Sequence, residues 1–176
     1  MKKKRVLLGA VIALVVIMLC AVVMLFRPMS IRGLTSNPDP AVDYAGAVER
    51  IETLQAEEAS LGLNPLCRLK FMTHGQEVEQ AIVFVHGYTN CPQQFEELGR
   101  QFYELGYNVL IAPAPHHGLA DRMTTDQSNL TAEELTAYAD EVVDIAQGLG
   151  EQVTLAGISM GGTTTAWTAL HRSDLD

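Results

Sequence analysis

Gly157-Ile158-Ser159-Met160-Gly161 sets one hydroxyl between two glycines, with a third, Gly162, behind it. The run leaves an apolar stretch, Gln152–Ala156, and enters a pattern that predicts a helix over Gly161–His171. A serine at such a strand-to-helix turn presents its Oγ at the tip, ready to attack a carbonyl carbon. The flanking glycines remove the Cβ atoms that would clash where strand and helix pass each other. The helix N-terminus adds partial positive charge beneath a developing oxyanion. Upstream, Val83-Phe84-Val85-His86-Gly87-Tyr88 ends an apolar run in His-Gly, where the backbone can turn and aim an N–H inward. Two backbone donors, one here and one just after the serine, are what a tetrahedral oxyanion needs, at about 2.7–3.1 Å. The chemistry these residues suit is acyl transfer. No phosphate-loop pattern GxxxxGK[ST] and no metal-ligand spacing occur, so neither a cofactor nor a metal is expected.

Positioning such a serine requires a sheet with helices on it. Leu66–Met72 is a short strand candidate, and Ala81–Val85 is an unbroken apolar run of the kind buried on both faces. Pro92–Gly106 has a helical stripe of Phe95, Leu98, Phe102 and Leu105, and Asn108–Ala112 predicts the next buried strand. Thr131-Ala132-Glu133-Glu134 is a capping-box pattern opening a helix with Leu135, Tyr138, Val142 and Ile145. Alternating strands and helices predict an α/β fold, a parallel sheet with helices on both faces. Ahead of the sheet, Asp39-Pro40 reads as a helix start, and Val42, Ala45, Val48, Ile51 and Leu54 predict an amphipathic helix over about 41–60.

On these residues the sequence resembles the α/β-hydrolase family, in its carboxylesterase, monoacylglycerol-lipase-like and serine-aminopeptidase-like branch. The resemblance runs from about Leu66 to Leu170, through VFVHGYTN (83–90), the strand and exit at Asn108–Pro115, and AGISMGG (156–162). It implies Ser159 as nucleophile, the backbone N–H groups of Tyr88 and Met160 as oxyanion donors, and His86, Gly87, Gly157 and Gly161 as supports of loop and turn. It also implies a small ester or acyl substrate, esterase or lipase ahead of peptidase. Many relatives read Pro-Gly-His-Gly after the next strand, whereas Ala114-Pro115-His116-His117-Gly118 places His116 at the glycine. The family order is serine, then acid, then histidine. Only 17 residues follow Ser159, and at about 1.5 Å per helical residue His171 and Asp174 would lie about 18 and 22 Å from it. The expectation is therefore a hydrolase domain that stops before its triad acid and histidine. The contrasting readings are a non-catalytic binding module on the same fold and an inactive fragment.

Composition bounds the rest. The chain has 176 residues, 48% hydrophobic, which excludes disorder and a disulfide-dense mini-protein. Residues 1–27 hold five basic residues and no acid. The other 149 hold seven Lys and Arg against 21 Asp and Glu, a net −14 that disfavours nucleic acid as a partner. Val6–Phe26 carries no charge, and as a helix of about 31 Å it predicts a membrane signal anchor. Lys2–Arg5 would stay cytoplasmic and the hydrolase part would be extracytoplasmic. The expected organisation is anchor 1–27, Pro-rich spacer 28–40, N-terminal helix 41–65 and incomplete hydrolase domain 66–176. Cys67 and Cys91 read as two small half-buried thiols, although an oxidising compartment would permit a bridge. Asp121–Asn129 reads as a polar solvated loop, with Asn129-Leu130-Thr131 a glycosylation sequon. Oligomeric state is not legible.

Overall fold

The computed structural model describes the chain apart from residues 1, 28–30, 32 and 176 and the side chains of 2–8 and 10. It separates into two units, residues 1–33 and 34–176. The first unit is helix α1 (Lys2–Leu25), whose apolar side chains from Val11 to Leu25 are exposed, Ile17 at 68% and Leu25 at 81%. Among the described residues no helix is long and apolar enough to cross a membrane. The expected span from Val6 includes Val6, Leu7, Leu8 and Ala10, whose side chains lie outside the described ones. The same holds for Pro28, Met29, Ser30 and Arg32 of the expected spacer.

The second unit carries α2 (Tyr44–Glu58), β1 (Lys70–Met72), β2 (Val78–Val85), α3 (Glu96–Glu104), β3 (Asn108–Ile111), α4 (Ala132–Gln147), β4 (Gly150–Gly157) and α5 (Met160–His171). The strands form one sheet in the order β1-β3-β2-β4. β2 is parallel to β3 and β4, but β1 runs antiparallel to β3, pairing Lys70 with Ile111. The sheet is therefore mixed rather than parallel throughout. Residues 73–77 join β1 to β2 with Gly75 at φ +78°, and so short a connection cannot make the crossover that parallel strands require.

Alternation along β2 divides the core. Ile82 and Phe84 face α3 with Val109 and Ile111, and Phe84 stacks on Phe95 and meets Phe102 edge-on. Val83 and Val85 face the other way, where Leu110 and Ala47 and Ile51 of α2 join Val142 and Ile145 of α4. Thr131 and Glu134 close the expected capping box on α4. Helix α2 starts later than the Asp39-Pro40 pattern suggests. Its cap is Asp43, which accepts the Gly46 N–H at 2.8 Å, because the preceding segment is bound to α4 instead. Ser36 Oγ and the Asn37 N–H donate to Asp140, and the Asp39 N–H donates to Asp144. Asp140 and Asp144 also pair with the Arg172 guanidinium, whose side chain is fully buried. Cys67 and Cys91 are bonded to each other, a correction to the reading as separate thiols. They are 24 positions apart in sequence, and their Cα atoms lie 5.1 Å apart.

Candidate active site

Ser159 stands at the end of β4 with φ +56° and ψ −117°, one of two described non-glycine residues with positive φ. Such a backbone is sterically costly for a side chain and persists only where its surroundings hold it. Here they do. A Cβ on Gly161 would collide with the Val85 carbonyl, and one on Gly157 would collide with the Gly161 backbone. The Ile158 N–H donates to Val85 O at 3.3 Å and the Gly161 N–H to Ile158 O at 3.0 Å. The turn is thus clamped between β2 and the first residues of α5, with the serine exposed at its tip.

Register brings the second element to it. Val85 pairs with Gly157, so β2 and β4 end side by side and Gly87-Tyr88 leaves next to the serine. A Cβ built on Gly87 would sit 3.6 Å from Ser159 Cβ. Among the described residues neither the Tyr88 N–H nor the Met160 N–H donates to another group. Two unpaired donors and an exposed hydroxyl at a helix N-terminus can bind an oxyanion and present a nucleophile to the same carbonyl.

The loop that carries Tyr88 is held on several sides. His86 is fully buried; its Nε2 accepts the Ala114 N–H at 3.0 Å, so Nδ1 carries the hydrogen and donates it to Gly87 O at 2.9 Å. That carbonyl and the Tyr88 N–H belong to one planar trans peptide, so fixing the oxygen fixes the direction of the donor. Burial pushes His86 down to about 4, which keeps the ring neutral in this role. Gln94 Oε1 accepts the Gly87 N–H at 2.9 Å, and His117 Nε2 lies 2.8 Å from Tyr88 O. Nothing in the sequence singled out Gln94. Its relevance follows from the turn at Pro92–Phe95, which aims it back at the loop.

His116 takes φ +63° at the position where the family pattern has glycine. Its ring lies between Asp126 at 3.0 Å and Glu134 at 3.1 Å, and hydrogen bonds to Glu134 and then Asp126 raise its pKa. Gln127 of the same polar loop accepts the Tyr88 hydroxyl at 3.0 Å on its carbonyl oxygen. Among the described residues no histidine or carboxylate hydrogen-bonds the Ser159 hydroxyl. His171 closes the far end of α5 with Nδ1 at 2.8 Å from Trp167 O, and Asp174 binds Arg172. His74 stacks on Tyr103. No group of three metal-ligating side chains occurs among the described residues. A largely apolar cavity of about 810 Å³ runs from Leu54 and Leu69 to Pro113 and Tyr138, and a polar one of about 290 Å³ lies beside Cys67 and Asn90. Ser159 lines neither.

Comparison with known proteins agrees with the fold. Residues 76–176 match the family described as serine aminopeptidase, S33. Over 100 residues the chain is 27% identical to a thermostable monoacylglycerol lipase of Bacillus sp. (strain H-257), covering 53% of this chain and 36% of that protein. A solved structure from work on LipS and LipT, two metagenome-derived lipolytic enzymes, superposes with a TM-score of 0.51 at 25% identity. That match covers 61% of this chain and 41% of the other. The chain therefore spans about two fifths or less of the relatives it matches.

Proposed function

The chain belongs to the α/β-hydrolase family of serine aminopeptidases, S33, and from that membership we propose that it acts on carboxylic esters of lipid-like acyl groups. Ser159 Oγ attacks the ester carbonyl, and the N–H groups of Tyr88 and Met160 take the resulting oxyanion. Gly157 and Gly161 allow the close passage of strand and helix, and His86 and Gly87 shape the loop. The single observation that carries this is Ser159 at φ +56° beside two unpaired backbone donors. Support for ester rather than peptide chemistry comes from the lipolytic relatives. Proton transfer from Oγ needs a base within about 2.6–3.2 Å. That base is not among the described neighbours of Ser159, so the reading assigns this chain the nucleophile and the oxyanion site.

The same observation favours a second reading, a binding module that holds acyl ligands without turnover. A fluorophosphonate probe separates the two. Labelling of the full chain that disappears in Ser159→Ala supports the hydrolase; absence of labelling in a folded chain supports the binding module.

The proposal includes an anchor, with Val6–Phe26 in a membrane, Lys2–Arg5 cytoplasmic and the hydrolase part outside. Support comes from the uncharged run itself and from the Cys67–Cys91 disulfide, which suits an oxidising compartment. Retention in the membrane pellet after alkaline extraction supports the anchor, and release into the supernatant overturns it.

A further inference from the structure

Cys91 ends the loop that begins at Gly87, three residues beyond Tyr88. The Asn90 N–H donates to Gly87 O, and the Cys91 N–H donates to Asn90 Oδ1 at 3.0 Å, so a displacement of Cys91 is carried into the Gly87–Tyr88 peptide through two short contacts. Cys67 sits in a short turn, Pro65–Cys67, that is itself tied down. Asn64 donates its N–H to Gly118 O at 2.8 Å, and Ala120 donates its N–H to Gly62 O at 3.0 Å. Gly118, at φ +81°, packs so close that a Cβ there would sit 2.8 Å from Cys67 Cβ. Next to Gly118 stands His117, which faces Tyr88 O. The loop is thus gripped twice from one wall of the site, once by His117 through a hydrogen bond and once by Cys67 through a covalent bond. Only the second grip is removed by reduction.

We propose that Cys67 and Cys91 are positioning residues of the oxyanion site: the disulfide holds the Gly87–Cys91 loop so that the Tyr88 N–H stays aimed at Ser159, and reducing it lowers the reactivity of Ser159 while the sheet stays folded. The inference rests on the hydrolase reading above for its activity readout. Reduction is by a dithiol. Its thiolate attacks one cysteine sulfur, the Cys67–Cys91 bond breaks, and the second thiol closes the dithiol into its own disulfide. Two protons pass to the cysteine sulfurs. The two cysteines are among the residues lining the polar cavity of about 290 Å³, with Asn64, Asn90, Gln93 and Arg122, so a small dithiol can approach a pair otherwise 7% exposed.

The test compares oxidised full-length chain, the same chain reduced with dithiothreitol, and Cys67→Ala/Cys91→Ala, each well below its unfolding temperature. Two quantities are read: amide hydrogen exchange and the second-order rate of fluorophosphonate labelling at Ser159. The expected result is faster exchange confined to residues 87–91 with at least a tenfold slower labelling, both restored when the reduced chain is reoxidised. Unchanged exchange at 87–91 overturns the proposal. So does acceleration spread through β2 and β4, which would make the bond a general staple. If the oxidised chain does not label at all, the hydrolase reading fails on its own. Exchange then still decides the strap, local acceleration supporting it and none overturning it.

Discussion

Gly161 and Gly162 are neighbours in sequence, both near the start of α5, and replacing each by alanine should move stability in opposite directions. At Gly161 the new Cβ would lie 2.6 Å from the Val85 carbonyl carbon and 2.9 Å from His86 O, and closer still to Val85 O. Relief requires α5 to withdraw from β2 by close to an ångström, and the Ile158 N–H to Val85 O hydrogen bond stretches with it. Overpacking costs about 1–3 kcal/mol, and weakening that bond adds about 0.5–1.5 kcal/mol. Alanine's better helix propensity returns at most about 1 kcal/mol, so Gly161→Ala should destabilise by about 0.5–4.5 kcal/mol. At Gly162 the nearest atom to the new Cβ is Gly157 O at 3.5 Å, an ordinary contact. There the smaller entropy of the unfolded chain should stabilise by about 0.4–1 kcal/mol. At about 3–4 °C per kcal/mol for a domain of this size, the two variants should differ in unfolding temperature by about 3–20 °C. Circular dichroism melts of the full-length variants measure this directly. Equal shifts, or Gly161→Ala more stable than Gly162→Ala, would refute the argument that Gly161 is required by the β2 carbonyl.

Three further outcomes are expected. His86 has its folded pKa lowered from 6.5 to about 4 by burial, so the unfolded chain binds the proton first on acidification. Its contribution is complete above about pH 6.5 and falls by about 3 kcal/mol on the way to pH 4; urea titrations should show this slope in the wild type and its loss in His86→Gln. His116 has the opposite sign. Its pKa is raised, so its ion pairs stabilise fully below 6.5 and fade as pH rises through the folded value. His116→Asn, which tolerates the positive φ, should therefore accelerate amide exchange over Asp121–Asn129 more at pH 5.5 than at pH 9, and equal effects at both would count against it. Arg172→Met leaves Asp144, 3% exposed in its side chain, and Asp140 without their buried cation. A loss of about 3–5 kcal/mol is expected in urea unfolding at pH 7, and a loss below 1 would mean that the network contributes little.

How far the sequence spoke for the structure depended on how local the physics was. The turn at Ser159 is written in five residues because the clash it avoids is between those residues and one neighbouring strand. The capping box at Thr131 and Glu134 is equally local, a reciprocal bond between residues three apart. The buried run at Ala81–Val85 announces a central strand because both of its faces are covered. The direction of β1 was not legible. Lys70–Met72 is three half-buried residues with no alternation, and its orientation follows from a connection length and a partner nearly forty residues away. The start of α2 was misread for a related reason. Asp39 followed by Pro40 is the cap pattern in the sequence, but Asp144 on α4 takes the Asp39 N–H and the helix is capped by Asp43 instead. The Cys67–Cys91 bond likewise depends on two loops meeting, which composition and spacing do not encode.

Three histidines follow strand ends on the carboxyl edge of the sheet, His86, His116 and His117, and they are the candidates for an upstream base to Ser159. Each has both ring nitrogens within hydrogen-bond distance of another group. His86 is bonded to Gly87 O and the Ala114 N–H, His117 faces Pro115 O and Tyr88 O, and His116 lies between Asp126 and Glu134. Turning His86 toward the serine would free the very carbonyl that orients the Tyr88 donor, and at about 4 its pKa makes it a poor proton acceptor at neutral pH. His116 is displaced the other way, its basicity already committed to two carboxylates. Releasing His117 would loosen Tyr88 from the wall that positions it. Recruiting His86 or His117 would loosen the loop that aims the Tyr88 N–H, and recruiting His116 would break its contacts with Asp126 and Glu134. His86 and His117 are therefore the frame of the Gly87–Tyr88 loop, and on the proposed reading none of the three histidines serves as the base for Ser159.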